Sequence, residues 1–389
     1  MSNLPSGEIP RGAIRFNTDS NKPELWDGSQ WAELQLSTPN LGQGSDTQPG
    51  ARGLIGGGQS PAHQDTIDYI NIDSTGNATD FGNLTDARSF LTSCSSSTRA
   101  LFGGGYSPGQ TNTIDYVTIS STGNASDYGD LSVARYAPSA VSSSTRGVFA
   151  GGYDGGPAPS QWSDTIDYVT IATTGNAQDF GNLESNKEFT TGFSSPVRGV
   201  FNGGGPSIIN VIQFITIATL GDTQDFGDLT TVVTQAGSCS NATRGLIGGG
   251  FTPTILNTIQ FVTISTLGNA IDFGDLTAAR SGLQTSGSSS VRGTFAGGDT
   301  SPAIINVIDY VTISTLGNAA NFGDLTRTTQ LSAAMSSSTR GVWAGGLNPT
   351  VLDTIDYVTI ATQGGAVDFG DMVTALRGMG SVSNAHGGL

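Results

Sequence analysis

Apolar and polar residues alternate in short runs along most of the chain, and glycines separate these runs. A representative run is TIDYVTI at residues 113–119, which shows the period of two expected of a half-buried strand. Few segments are rich in the Ala, Leu, Glu and Lys that favour helices. This pattern predicts an all-β protein built from many short strands joined by turns.

The alternating pattern repeats seven times, at intervals of 46 to 52 residues. Each repeat opens with an arginine that precedes an apolar run and glycines: Arg52, Arg99, Arg146, Arg198, Arg244, Arg292 and Arg340. An aromatic residue lies in the next run: Tyr69, Tyr116, Tyr168, Phe214, Phe261, Tyr310 and Tyr357. A second aromatic residue precedes a later glycine: Phe81, Tyr128, Phe180, Phe226, Phe273, Phe322 and Phe369. Repeats of about 50 residues with this content predict a seven-bladed β-propeller.

The order of glycine pair, tyrosine and second aromatic residue resembles the kelch repeat, from Arg52 to near the C-terminus. Two features depart from it, because the second aromatic residue is Phe or Tyr rather than Trp, and Ser and Thr are unusually frequent. The resemblance implies the order of strands in each blade. A Ser-rich segment would be innermost, the RGVFAGG-like run second, the TIDYVTI-like run third and the aromatic–glycine run outermost.

The two ends of the repeat region complement each other under that strand order. The region begins at Arg52 with a second strand, and the Ser-rich segment at 377–386 matches an innermost strand. We therefore expect the C-terminal strand to close the ring by completing the blade formed by residues 52–87. Closure of this kind removes open sheet edges.

Residues 1–36 follow a different pattern, with short apolar runs at 12–17, 24–26 and 31–34 separated by turn residues. They predict a small β-meander that is too small to be stable without a partner surface. Residues 37–51 have the composition of a flexible linker. The expected domains are therefore the meander at 1–36, the linker at 37–51 and the propeller at 52–389.

The meander sequence resembles a short element of bacteriophage tail-fibre and baseplate-associated proteins. The matching residues are Gly12, Ile14, Arg15, Phe16, Asn17, Glu24, Trp26, Gly28 and Trp31. The resemblance implies that this segment fastens the protein to the virion while the distal part faces outward. Phe16, Trp26 and Trp31 are then the candidate docking residues, or residues of self-association. The alternative is that the two tryptophans form the core of the meander itself.

Charge and length of apolar runs exclude several classes of partner. The formal net charge is −16 and no basic patch is visible, so nucleic acid is not expected as a partner. The chain has no run of about 18 apolar residues, so membrane insertion is not expected. The N-terminus lacks a signal peptide, which predicts synthesis in the host cytoplasm without export.

Cys94 and Cys239 lie at equivalent positions three blades apart, and we expect two small buried side chains rather than a disulfide.

Catalytic and metal chemistry are not expected. The histidines are His63 and His386, and no nucleophile–base signature accompanies them. We therefore predict no catalytic residue, no cofactor and no enzyme activity. Aspartates such as Asp127 and Asp130 bracket the aromatic–glycine pairs, but two carboxylates per blade do not supply the six to eight oxygens of a calcium site. These aspartates are expected to cap turns or to pair with the arginine that opens each repeat.

Two of the four connections in each blade vary in length and content, and two barely change. The variable ones follow the glycine pair and the outermost strand, and in a four-stranded blade they share one face. Loops on a rigid scaffold commonly carry binding. Tyr106, Tyr153, Trp162 and Phe251 are the candidate binding residues of this face. Relaxed constraint on exposed loops is the alternative explanation.

The sequence thus predicts a phage virion protein of the tail-fibre or baseplate class, located on the tail or another exterior surface. Its partners would be other virion proteins through the N-terminal segment, a host-surface glycan or protein through the variable face, and further copies of the chain. The alternatives are a purely structural head, collar or tail decoration protein and, ranked below it, a glycan-degrading enzyme.

Overall fold

The computed structural model describes residues 13–17, 22–26, 29–33, 51–157, 161–187, 191–205, 208–283 and 288–384. All regular structure in these ranges is β-strand, as the alternating pattern predicts. The chain divides into two compact units, Met1–Gln43 and Gly44–Leu389.

The N-terminal unit contains a three-stranded antiparallel meander. Its strands are β1 (Ile14–Asn17), β2 (Lys22–Trp26) and β3 (Trp31–Glu33), paired in that order. The backbone N–H of Trp26 donates to the carbonyl of Ala13 at 2.8 Å and extends the first pairing. The predicted linker at 37–51 lies outside the described residues except for Ala51, so the domain boundaries stay a prediction.

The second unit contains seven blade sheets that follow one another along the chain, and β5 and β6 of blade 1 form a separate two-stranded sheet. Blade 1 has β4 (Arg52–Gly56), β5 (Gln59–Ser60), β6 (Ala62–His63), β7 (Thr66–Asn71) and β8 (Thr79–Asn83). Blade 2 has β9 (Thr92–Ser95), β10 (Arg99–Gly103), β11 (Thr113–Thr118) and β12 (Ser126–Asp130). Blade 3 has β13 (Ser139–Ser142), β14 (Arg146–Ala150), β15 (Thr165–Thr170) and β16 (Gln178–Asn182).

Blades 4 to 7 repeat this arrangement. Blade 4 has β17 (Thr191–Ser194), β18 (Arg198–Asn202), β19 (Val211–Thr216) and β20 (Gln224–Asp228). Blade 5 has β21 (Gly237–Ser240), β22 (Arg244–Gly248), β23 (Thr258–Thr263) and β24 (Ile271–Asp275). Blade 6 has β25 (Arg292–Ala296), β26 (Val307–Thr312) and β27 (Ala320–Asp324). Blade 7 has β28 (Ala333–Ser336), β29 (Arg340–Ala344), β30 (Thr354–Thr359) and β31 (Val367–Asp371), and β32 (Gly380–Ser383) ends the described chain.

Each blade is an antiparallel sheet, and in blades 2 to 7 the strands pair in chain order, for example β13-β14-β15-β16. The innermost strands of neighbouring blades contact one another, as β9 does with β13 and β13 does with β17. The inferred strand order, with the Ser-rich strand innermost, is therefore confirmed. Blade 6 shows three strands among the described residues, and its expected innermost strand falls partly on residues 284–287, which lie outside them.

The C-terminal strand closes the ring. β32 pairs antiparallel with β4, which places Val382 opposite Leu54 and Ser381 opposite Ile55. Blade 1 thus has the order β32-β4-β7-β8 and combines the two ends of the repeat region. The fold is a seven-bladed β-propeller, closed in the way that the chain ends predict.

The arginine that opens each second strand joins its own blade to the next one. Its guanidinium carbon lies 4.5–4.8 Å from the centroid of the third-strand aromatic ring in the same blade. Its Nη1 donates at 2.8–3.0 Å to an isoleucine carbonyl of the following blade, for instance from Arg99 to Ile171. All seven repeats keep this tie, which explains why the arginine recurs.

The outermost strands are joined by close backbone contact. The N–H of Gly175 in blade 3 donates to the carbonyl of Tyr128 in blade 2 at 2.7 Å. Gly129, with φ of 137°, lies against that turn, and a Cβ added to it would be 2.5 Å from the carbonyl carbon of Gly175. The glycine after the second aromatic residue is therefore required both by its backbone conformation and by the space available.

Removal of residues 377–389 should lower the melting temperature sharply. The deletion exposes the inner edge of β4 and removes Val382 from the core, and loss of one buried aliphatic side chain alone costs about 2 kcal/mol. Differential scanning calorimetry measures the effect. Removal of residues 1–36 is the control and should leave the propeller transition in place, since these residues belong to a separate compact unit. Equal melting of full-length and C-terminally shortened proteins would contradict the stabilising role of closure.

Candidate binding face

The two variable connections of a blade lie on one face and are hydrogen-bonded to each other. The connection that enters blade 2 pairs with the loop after its glycines through Ser89 and Tyr106, at 2.8 and 3.1 Å. Tyr136 and Tyr153 make the equivalent pair in blade 3, at 2.9 and 3.0 Å. Equivalent bridges occur in blades 1, 5, 6 and 7. We call this side of the ring, formed by the loops after the glycines and the connections between blades, the variable face.

Left-handed backbone recurs in the connections of the variable face. The φ angles of Phe90, Ala137, Gln235 and Leu331 are 50–58°, and Gly282 and Gly378 occupy the same position with φ of 63° and 64°. Left-handed backbone at residues other than glycine costs about 1 kcal/mol. In blade 2 this conformation places the ring of Phe90 6.2 Å from that of Tyr136.

Aromatic rings form a continuous series across blades 1 to 3. The centroid of the His63 ring lies 5.5 Å from that of Tyr106, which lies 5.7 Å from that of Tyr136. Tyr136 and Tyr153 are 5.0 Å apart, and Tyr153 and Trp162 are 6.1 Å apart. All of these side chains are partly exposed. We call the following set the aromatic array: His63, Phe90, Tyr106, Tyr136, Tyr153 and Trp162.

Glutamine side chains lie among these rings. Gln161 accepts a hydrogen bond from the hydroxyl of Tyr153 at 3.2 Å. Gln110 lies in the loop of blade 2 and approaches the loop of blade 3, since a Cβ at Gly155 would be 2.7 Å from its Nε2. Gln59 accepts from Arg377 at 3.3 Å. All three glutamines are partly exposed, so the array combines aromatic rings with amide groups.

The structure brings together three of the four predicted binding residues. Tyr106, Tyr153 and Trp162 belong to the array, whereas Phe251 lies on the loop of blade 5, 39% exposed and bridged to Thr234. Among the described residues, no ring packs against Phe251. His63, Phe90 and Tyr136 were missed by sequence reasoning, although Tyr136 stands where other connections have Ser89 or Thr234. Whether the four predicted residues bind a ligand stays a prediction.

The N-terminal candidates pack against each other. The ring centroids of Trp26 and Trp31 are 5.4 Å apart, and the guanidinium carbon of Arg15 lies 4.3 Å from the Trp31 ring centroid. Both tryptophans are partly exposed. This arrangement supports the reading that they form the core of the meander, and docking through them stays a prediction. The side chain of Phe16 lies outside the described residues.

The repeated aspartates bond within their own outermost strands, at the bulge opposite the third strand, rather than at turns. Asp127 accepts the backbone N–H of Gly129 at 2.9 Å, and Asp80, Asp179, Asp225 and Asp368 make the equivalent bond. The proposed pairing with the opening arginine is wrong, because that arginine contacts a ring and a carbonyl instead. No group of three metal-ligating side chains occurs in the part of the chain that the structure describes.

Among the described residues, one histidine contacts a serine. His63 Nδ1 lies 3.0 Å from Ser89 Oγ, but Ser89 is completely buried and offers no accessible nucleophile. His386 lies outside the described residues. The prediction that the chain has no catalytic residue is left untested by these contacts.

Buried ion pairs hold the connections of the variable face, and sequence reasoning missed them. Arg88 pairs with Asp115 at 2.9 Å and Arg135 pairs with Asp167 at 2.8 Å, all four side chains being completely buried. Arg280–Asp309 is the equivalent in blade 6, at 3.0 Å, and in blade 7 Arg327, two residues before the equivalent position, pairs with Asp356 at 2.7 Å. Burial lowers the pKa of Arg135, and the Asp167 carboxylate opposes that shift. The sequence does contain a signal for these ion pairs, namely the aspartate that recurs in the centre of the apolar third strand.

These ion pairs adjoin the aromatic array directly. Arg135 immediately precedes Tyr136, and its Nη2 also donates to the carbonyl of Phe149 at 3.2 Å. Arg88 is two residues from Phe90 and donates to the carbonyl of Phe102 at 3.2 Å. The buried pairs therefore fix the backbone from which two array rings project.

The ion pair is not formed in every blade. Gln213 and Gln260 replace the aspartate in blades 4 and 5 and accept the same backbone N–H. In blade 1, Asp68 is buried and accepts the N–H of Val373 at 3.0 Å, but Leu376 stands where the arginine lies elsewhere. The pKa of Asp68 is raised to about 6, mainly by burial. The hydrogen bond from Val373 opposes this rise, and the Asp80 carboxylate adds to it.

The variant Asp68→Asn should be more stable than the natural protein at pH 8. A carboxyl whose folded pKa is raised from 3.8 to about 6 stabilises the folded state fully at low pH. That stability is lost as the pH rises from about 4 to about 6. Because asparagine still accepts the Val373 N–H, we expect a gain of about 2 kcal/mol at pH 8 and a flatter pH profile. Urea unfolding at several pH values measures both.

Asp115→Asn is the matched control for that experiment. It makes the same chemical change in blade 2 but leaves the buried Arg88 charge unpaired, and we expect a loss of about 3 kcal/mol. If both variants change the free energy of unfolding in the same direction, the lack of a cation beside Asp68 does not explain the effect of Asp68→Asn.

A Ser-rich channel of about 310 Å³ is lined by the innermost strands. Its serine hydroxyls donate to carbonyls of neighbouring strands, as Ser93 does to Ser381 at 2.9 Å and Ser383 does to Ser336 at 2.8 Å. Cys94 and Cys239 lie on these strands as free, buried thiols, which confirms the expected small buried side chains. Burial raises the pKa of each thiol to about 12.

Both cysteines should resist thiol reagents in the folded protein at pH 8. The thiolate is the reactive form, and a pKa of about 12 leaves a negligible fraction of it. Titration with a chromogenic disulfide should give no reaction before unfolding and two thiols per chain in denaturant. Rapid reaction of one thiol in the native protein would disprove its burial.

Comparisons with known proteins add no family to the fold. A scan against protein-family models finds no match, and a search of curated proteins finds no matching sequence. Within the described residues, no helix has the length and apolar character needed to cross a membrane.

Proposed function

We propose that this chain is a virion protein of a tailed bacteriophage, of the tail-fibre or baseplate class, whose variable face recognises a molecule on the host surface. The observation that carries the recognition is the aromatic array. Partly exposed rings on adjoining loops of a rigid scaffold are typical of binding surfaces, because they bury much area at a low cost in conformational entropy.

The sequence of the N-terminal meander supports placement in a virion. Its likeness to a tail-fibre element includes Arg15, Trp26 and Trp31, which pack together in the structure. In this proposal the meander contacts other virion proteins or further copies of the chain, and the kelch-like propeller is presented outward. The proposal assigns no catalytic step, metal or cofactor to the chain.

Exposed aliphatic residues favour one alternative, a purely structural decoration protein. Leu220, Leu267 and Leu316 lie in the turns between third and outermost strands of blades 4 to 6, each more than half exposed. The equivalent residues of blades 1 to 3 are Thr75, Thr122 and Thr174. These leucines occupy the face opposite the variable face and offer a second contact surface.

Binding to bacteria tests the recognition. Purified, fluorescently labelled protein should bind bacteria that are susceptible to virions carrying the chain, and Tyr136→Ala should reduce that binding about tenfold or more. Immunogold labelling of the virions should place the chain on the tail or another exterior surface. Absence of binding, with the protein located beneath other virion proteins, would support the structural alternative and overturn the proposal.

A further inference from the structure

We propose that the aromatic array binds a neutral glycan, which extends across blades 1 to 3 and stacks its sugar rings on the aromatic side chains. This inference rests on the proposed recognition function and specifies the ligand and the part of the ring that binds it. Blades 4 to 7 are not part of the site.

The geometry of the array suits an extended chain of sugars. Successive ring centroids from His63 to Trp162 are 5.0–6.1 Å apart and cross three neighbouring blades without interruption. Adjacent rings are tilted or edge-on rather than stacked on each other, since their planes meet at 35–84°. A pyranose has an apolar C–H face that packs on an aromatic ring and hydroxyl groups at its rim.

Amide and hydroxyl groups lie where the rim of a sugar needs partners. Gln110 and Gln161 border the rings of Tyr106, Tyr153 and Trp162, in the same loops. An amide both donates and accepts, which matches a hydroxyl that does the same. Apolar contact area with a few placed polar groups is the usual composition of a small-ligand site.

The charges near the array disfavour an anionic ligand. Asp65, Asp86, Asp154 and Asp164 lie in the loops and connections that carry the rings, and all four are at least partly exposed. The basic residues Arg88 and Arg135 are completely buried and paired with carboxylates, and Arg377, which is partly exposed, donates to Gln59 at the edge of the array in blade 1. Carboxylates at the rim repel polyanions, so a neutral glycan is favoured over an acidic one.

The aromatic array has no exposed aliphatic side chains among the described residues of its blades, which favours a glycan over a protein as the ligand. In the described residues from 52 to 182, no large aliphatic side chain is exposed, whereas Leu331 and Val373 are exposed in other connections of the variable face. Cores of protein interfaces usually combine aromatic residues with other apolar side chains and arginine. Rings interleaved with amides, and without aliphatic neighbours, match a sugar surface instead.

A glycan array probed with the full-length protein tests the inference. We expect binding to neutral oligosaccharides and weaker or no binding to sialylated, sulfated or uronic-acid glycans. Titration calorimetry with the best neutral ligand should show about tenfold weaker binding for Tyr136→Ala and for Trp162→Ala, which each remove one stacking ring. Gln161→Ala should also weaken binding, because it removes an amide partner for the sugar hydroxyls while all the aromatic rings remain.

Leu347→Ala is the matched control, because Leu347 stands in blade 7 at the loop position that Tyr106 and Tyr153 occupy in blades 2 and 3, outside the array. It should leave glycan affinity unchanged, and the melting temperature of every variant should be measured to detect misfolding. If Tyr136→Ala does not fold, Trp162→Ala and Gln161→Ala decide the result. Equal losses for Leu347→Ala and Trp162→Ala would overturn the assignment to blades 1 to 3.

Treatment of the bacterial surface separates failure of this inference from failure of the proposed function. If the protein binds cells after periodate oxidation but not after protease digestion, the ligand is a protein, the glycan inference is wrong and host recognition stands. Binding to acidic glycans alone would also overturn the inference. Absence of binding to cells and to glycans would refute the proposed recognition itself.

Discussion

Closure of the ring is the constraint on which the rest of the structure depends. No blade has a core of its own, because each sheet is covered by the sheets beside it. One buried cluster, for example, combines Leu54 and Phe81 of blade 1 with Phe102 and Val117 of blade 2. Ile72 and Ala78 of blade 1 likewise share a cluster with Val342 and Phe369 of blade 7. A propeller that did not close would expose apolar surface on two blades at once.

Three kinds of contact join neighbouring blades, each at a different distance from the central axis of the propeller. Serine hydroxyls link the innermost strands, arginines link second strands to the end of the next third strand, and glycine contacts link the outermost strands. The buried Asp–Arg pairs add a fourth tie on the variable face. Because the first three ties recur around the ring, the loops of the variable face can differ without altering the scaffold. At the junction of blades 7 and 1, Leu376 stands where Arg88 and Arg135 lie in the next two connections, so Asp68 has no ion pair of this kind.

The candidate site depends on the same ties. Tyr136 follows Arg135, whose guanidinium is held by Asp167 and by the carbonyl of Phe149. Its ring is therefore presented from backbone that cannot shift without breaking a buried ion pair. The conformational entropy of the rings is restricted before any ligand arrives, which is the general basis of preorganised recognition. The opposite face has its own asymmetry, since leucines replace threonines in the turns of blades 4 to 6.

The sequence by itself determined the strands, the turns and the number of blades, and its resemblance to the kelch repeat implied the strand order and the strand that closes the ring. Strands and turns are encoded locally, because period-two alternation and recurrent glycines specify them wherever they occur. It also located Tyr106, Tyr153 and Trp162 on variable loops. Only the tertiary structure joined them to His63, Phe90 and Tyr136, because the connections that carry Phe90 and Tyr136 pair with the loops of the following blades. The Asp115–Arg88 pair and the isolated charge of Asp68 were likewise decided in three dimensions, since residues from different repeats meet only after the blades have packed.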